Sequence, residues 1–222
     1  NATAFLDADE WTDYAAQFDF KFLKPDEHNA NYFYLRFRTG NCPPTVQAVD
    51  NYVALISTDV VELRDESCKT QTQELVASND RNITGDGWHT AQVIAIGNRV
   101  RLLIDGEQTI DYTDPESPHL DGGIWLDTEN KVEVAIDNFR VYEIIPGQTA
   151  SPTSAPTVAA EGTPGNAQLD NAIFEDDFES RNLSLWGPDG NWEVTQDETG
   201  NAVLHPITTK GSFQHIFASG SS

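Results

Sequence analysis

Apolar and polar residues alternate along most of this chain. From Ala16 onward, Ala16, Phe18, Phe20 and Phe22 share one side of an extended backbone, while Gln17, Asp19 and Lys21 share the other. The same two-residue period runs through Tyr32 to Arg38, Tyr52 to Val61, Trp88 to Ile96, Arg99 to Asp105, Ile124 to Asp127 and Val132 to Tyr142. Each run predicts a strand with one buried face. Gly97-Asn98 and Asp105-Gly106 lie between or just after such runs, where residues tolerating positive φ close hairpins. No segment carries the 3.6-residue repeat of a long amphipathic helix. The expected fold is therefore all-β, two antiparallel sheets packed face to face.

The pattern stops in one place. Residues 149–168 are rich in Pro, Thr, Ser and Ala, with almost no charge or large apolar side chain, and cannot pack a core of their own. They read as a linker that would reach roughly 65 Å if fully extended. It divides residues 1–148, the main part of a sandwich, from residues 169–222, where apolar positions resume at Ile173. A β segment of 54 residues without a disulfide is too small to stand alone.

Composition narrows the function. The 222 residues include 13 Lys and Arg against 36 Asp and Glu, a formal charge of −23. Nucleic acid and anionic membrane surfaces bind dense basic patches, so neither is an expected partner. There is no apolar stretch of about 18 residues, and so no membrane-spanning helix is predicted. Aromatic residues make up 10% of the chain, more than a disordered acidic chain carries, so the protein should fold. The two cysteines, Cys42 and Cys68, sit in loop-like surroundings without His or Cys neighbours at metal-ligand spacing. A disulfide is the preferred reading over two free thiols, and it favours an extracellular or cell-surface setting. Glycosylation triplets begin at Asn1, Asn82 and Asn182.

Several motifs together resemble a known fold. Phe174 to Phe178 (Phe-Glu-Asp-Asp-Phe), Leu183 to Trp186, Asn191 to Val194 and Gly200 to Leu204 are similar to the opening of concanavalin A-like jelly-roll domains, the laminin-G-like and family-16-glycosidase-like sandwiches. Trp11 to Tyr14, Tyr32 to Phe37, Trp88 to Thr90, Ile104 to Gly106, Gly122 to Leu126 and the closing Ile136 to Tyr142 supply the remaining landmarks. Their order is circularly shifted, because the family's opening motif here follows its closing strand. Residues 1–148 therefore lack their first strands, and residues 169–222 hold them. Three arrangements follow: a window on a tandem array, a circular permutant that completes itself, or complementation in which Phe174, Phe178, Trp186 and Trp192 fill the sandwich of a neighbouring copy. Complementation is the leading expectation, giving a non-enzymatic extracellular fibre or filament subunit whose partners are copies of itself. The alternative is a carbohydrate-binding module, and a family-16-like glycosidase ranks third.

Candidate chemistry is sparse. The resemblance implies a structural Ca²⁺ between first and last strands, held by Asp137 with Asp176 or Asp177. Tyr32, Tyr34, Arg36 and Arg38 alternate onto one side of their strand, where tyrosine faces stack on sugar rings and arginines donate to hydroxyls. Glu175, Asp177 and Glu179 match the spacing of a retaining glycosidase, but they occupy the resemblance's first strand rather than its catalytic one, so a turn or metal role is expected there.

Overall fold

The computed structural model describes residues 2–6, 11–23, 32–40, 50–68, 72–83, 87–116, 119–128, 133–144, 172–187 and 192–207. The expected linker lies outside them. Fourteen strands follow in chain order: β1 (Ala2–Leu6), β2 (Tyr14–Phe22), β3 (Tyr32–Gly40), β4 (Asp50–Ser57), β5 (Val60–Ser67), β6 (Thr72–Asp80), β7 (His89–Ile96), β8 (Arg99–Ile104), β9 (Glu107–Thr113), β10 (Gly123–Thr128), β11 (Val134–Glu143), β12 (Ala172–Asp176), β13 (Trp192–Gln196) and β14 (Ala202–Pro206). All pairings are antiparallel, and no helix occurs among the described residues. The fold is an all-β sandwich.

One sheet has six strands in the order β1-β10-β3-β4-β5-β6. The second runs β13-β14-β11-β2-β7-β8-β9, with β12 paired beside β14 along the same edge of β11. Alternation places Phe18, Phe20 and Phe22 of β2 against Phe33, Leu35 and Phe37 of β3, and all six are buried. Phe18 stacks on Phe139 with ring centroids 5.3 Å apart. The expected run from Tyr52 to Val61 is two strands, not one. The Ser57 hydroxyl accepts from the backbone N–H of Asp59 (3.2 Å) and Val60 (3.0 Å) and turns the chain there. Asp105 and Gly106 both have positive φ, as the hairpin reading requires.

The carboxyl-terminal strands are seated on their own chain. Phe139↔Asp176, Arg140↔Glu175 and Val141↔Phe174 pair β11 with β12, and Ile136↔Leu204 pairs it with β14. Trp186, 2% exposed, meets Phe139 edge-on at 5.0 Å, and Phe174 and Phe178 lie within 5.9 Å of its ring. Trp192 joins the same core. Phe174, Phe178, Trp186 and Trp192 thus pack against strands of the chain that carries them.

Candidate carbohydrate site

Ladder partners in an antiparallel sheet point to the same side, so the register identifies the outward face of the six-stranded sheet. Tyr34 lies opposite Leu55 and Asp127, Arg36 opposite Val53 and Trp125, Leu55 opposite Glu62, Val53 opposite Arg64, and Asn51 opposite Glu66. Tyr34, Val53 and Leu55 form an apolar cluster separate from the main core, with Tyr32 and Val60 against it. Tyr32 and Tyr34 meet edge to face at 5.5 Å. The Arg36 guanidinium lies 5.9 Å from the Tyr34 ring centre, within cation–π reach.

Arg36 is the hub of the polar groups on this face. Its Nε donates to Asp127 Oδ2 and its Nη1 to Glu66 Oε2. Asn51 Nδ2 donates to the same Glu66 oxygen at 3.3 Å. Burial pulls the Arg36 pKa down, but the two carboxylates outweigh it and hold the group above its ordinary value. Its charge is therefore permanent, and its orientation is fixed from two neighbouring strands. Two of its five N–H donors are committed in this way. Arg64 is held likewise, by Glu62 at 2.8 and 2.5 Å and by Gln73 at 2.8 Å.

Tyr32, Tyr34 and Arg36 come together as the alternation expects; Arg38 does not. The register breaks between Phe37 and Gly40, and Arg38 has a φ of 52°. This bulge takes its side chain off the face and buries it completely (0% exposed). There it donates to the carbonyls of Thr12 (3.0 and 3.2 Å), His119 (2.8 Å) and Gly97 and to Asp13 Oδ1 (3.2 Å), while its backbone N–H donates to Tyr14 Oη at 2.7 Å. Burial lowers its pKa, against the pull of Tyr14 and Asp13. Arg38 is a structural clamp between loops, not a ligand contact. Asn51, Glu62, Arg64, Glu66 and Asp127 were missed from the sequence. Asp127 and Glu62 sit at outward positions of alternating runs, which marks their side of the strand, but only register shows that they converge.

The other sequence candidates are engaged with neighbours of their own. Asp137 Oδ1 accepts from the Asn138 N–H (2.7 Å) and its Oδ2 from Asn201 Nδ2 (2.7 Å). Asp176 spends both oxygens on the Phe178 N–H and Trp186 Nε1, each at 2.8 Å, and Asp177 accepts from the Glu179 N–H at 3.2 Å. Among the described residues no group of three or more His, Cys, Asp or Glu side chains is placed to hold a metal ion. Glu175 is exposed beside Arg140 (3.9 Å), and Glu179 accepts from the Ala202 N–H (2.9 Å); Asp177 and Glu179 lie beyond the end of β12, in the turn that follows it. Cys68 is disulfide-bonded, while Cys42 lies outside the described residues. Asn82 and Asn182 are exposed, and Asn1 is outside the described residues.

Comparison with known proteins decides the family. The model of the 3-keto-alpha-glucoside-1,2-lyase-like domain matches residues 1–142, well over half the chain. The chain belongs to this family. The lyase-like family is one of enzymes, which overturns the expectation of a non-enzymatic protein. No curated protein matches the chain. A Bacillus subtilis protein with a galectin-like fold superposes with a TM-score of 0.50 at 12% identity, over 62% of this chain and 76% of its own. The carbohydrate-binding module CBM66 of the same organism reaches 0.46 at 15% identity over 59% and 74%, and sheep galectin-11 reaches 0.45 at 8% over 59% and 95%. At these identities the likeness is one of fold.

Proposed function

We propose that this lyase-like domain recognises a glycoside on the outward face of its six-stranded sheet. The observation that carries the reading is the Arg36 hub, a fixed guanidinium between Asp127 and Glu66, beside the paired rings of Tyr32 and Tyr34. Aromatic faces cover the apolar side of a sugar ring, and oriented polar groups take its hydroxyls. Family membership supports a glucoside as the ligand class. Titration with a panel of α-glucosides should show saturable binding that weakens about 3–10-fold in Tyr34→Leu, the scale of one aromatic contact. Unchanged affinity in a folded Tyr34→Leu variant would remove the seat from this face.

The family name favours a second reading, catalysis on the bound sugar. In a 3-keto glucoside the ketone acidifies the C2 proton; a base removes it, the C1–O bond breaks with the electron pair leaving on oxygen, and a C1–C2 double bond conjugated to the ketone remains. The carboxylates of Glu62, Glu66 and Asp127 are the bases this face offers. Mixing the protein with a 3-keto-α-glucoside should release the aglycone and raise an enone absorbance together. Neither signal appearing would sink the catalytic reading while leaving recognition standing.

The pairing of β12 and β14 with β11 of the same chain supports a self-completing, circularly shifted sandwich over a head-to-tail fibre. The disulfide at Cys68 supports an oxidising, extracellular compartment.

A further inference from the structure

We propose that Trp125 is a specificity-determining residue whose indole receives an aromatic group carried on the anomeric oxygen of the sugar, so that the domain prefers aryl glucosides to alkyl glucosides. In β10 the flanking Ile124 and Leu126 have no solvent exposure and face the core, while Trp125 between them is part-exposed. Its ladder partner is Arg36, so it stands on the same outward face, one strand across from the hub. The other four tryptophans are placed elsewhere. Trp186 and Trp192 are buried in the main core, Trp11 meets Tyr14 edge-on, and Trp88 leads into β7 of the eight-stranded sheet.

The face therefore carries part-exposed aromatic rings at two separate places. Tyr32 is four residues from Arg36 along β3, about 13 Å at the rise of an antiparallel strand, and Trp125 is directly across from Arg36. Tyr34, 8% exposed, is enclosed between the Tyr32 ring and the Arg36 guanidinium. One sugar ring cannot cover both platforms. A glucose unit seated at the tyrosines leaves Trp125 for whatever its anomeric oxygen carries. The surroundings of Trp125 select the chemistry of that group. Its partner on the edge strand β1 is Phe5, and on its other side Arg36 already donates to Asp127 and Glu66. A second sugar would surrender water from its hydroxyls over an indole and an engaged guanidinium. An aromatic ring surrenders none; it stacks offset on the indole and turns its face to the cation beside it.

This inference rests on the glycoside seat proposed above, and its test separates the two. The full chain is titrated with methyl α-glucoside, phenyl α-glucoside and methyl α-maltoside, which share the glucose unit and differ in what its anomeric oxygen carries. The phenyl glucoside should bind about 3–10-fold more tightly than the methyl glucoside, the scale of one aromatic pair, with the maltoside close to the methyl glucoside. Trp125→Leu should bring the phenyl-to-methyl ratio near one and Trp125→Phe should keep part of it, whereas a merely structural role would lower both affinities together and leave the ratio alone. Thermal melts report whether each variant is folded. Equal binding of the methyl and phenyl glucosides by the wild type overturns the aryl platform and leaves the seat in place. So does an unchanged ratio in Trp125→Leu. A maltoside that gains as much as the phenyl glucoside overturns the selection of an aromatic group. Binding of none of the three overturns the seat and the platform together.

Discussion

Arg38 shows how much a single residue can decide. A guanidinium with no solvent exposure is tolerated because its donors meet three backbone carbonyls and the Asp13 carboxylate. Arg38→Met keeps the bulk and orphans those oxygens, so it should cost about 3–5 kcal/mol in a denaturant titration. The bulge that places Arg38 also depends on Gly122, whose φ is +121° and whose missing Cβ would lie 2.4 Å from the Thr39 carbonyl oxygen and 2.7 Å from the Arg38 carbonyl carbon. Backbone cannot yield as a side-chain tip does. Gly122→Ala should lower stability by at least the roughly 1–3 kcal/mol of a strained backbone position, read as a shifted unfolding midpoint. Asp137 works in the opposite sense. Burial, aided by the nearby Asp19 and Asp177 charges, raises its pKa above the ordinary carboxylate value despite hydrogen bonds from Asn201 and Asn138. The unfolded chain therefore ionises first as pH rises, and the native state is penalised above that window. Asp137→Asn should be more stable than the wild type at neutral pH, and the gain should vanish below about pH 4, where both states hold the proton. A gain that persisted at pH 3 would mean that packing, not charge, was responsible. None of these three roles was legible beforehand. Alternation assigns Arg38 to the outward face because a bulge at a non-glycine residue leaves no mark in the hydrophobic pattern.

Elements were legible where burial is one-sided. The strand at Tyr14–Phe22 could be read because every second residue from Ala16 to Phe22 is apolar and buried. β6 was missed for the matching reason: it is an edge strand, exposed over most of its length, and Thr72–Asp80 has no face to declare. The carboxyl-terminal strands lay between these cases. Their motifs read as strands that complete a sandwich, but no motif says whose, since the same edge of β11 is offered to the chain's own tail and to any copy. Within the chain the joint is a core joint, with Trp186 buried against Phe139, Phe174 and Phe178 and its Nε1–H donated to Asp176 Oδ2. Trp186→Ala should cost about 3–5 kcal/mol, as large aromatic truncations in cores do. Denaturant titration followed by near-ultraviolet circular dichroism would check it. A loss under 1 kcal/mol would mean that β12 to β14 contribute little to the sandwich they flank.

For the whole molecule the dominant quantity is its charge. Acids outnumber bases by 23, so most carboxylates have no cation to pair with, and the folded state holds them closer together than the unfolded chain does. Salt acts on two opposing terms. It weakens exposed pairs such as Lys21–Glu198 and Arg99–Asp111, each worth little in water, and it screens the repulsion among the unpaired acids over a length that shrinks from about 30 Å at 0.01 M to about 8 Å at 0.15 M. With so large an imbalance the second term wins. The melting temperature should rise between 10 and 150 mM NaCl, by about 2–4 °C for each 1 kcal/mol of repulsion removed in a chain of this size. CaCl₂ at matched ionic strength separates screening from a specific ion, since screening alone gives closely similar curves and a carboxylate site adds a further rise. Affinity for a neutral glucoside should stay flat over the same salt range, because the ligand carries no charge and Arg36 is already neutralised by Asp127 and Glu66. A glucoside affinity that fell steeply with salt would place the sugar against an unpaired charge elsewhere on the molecule.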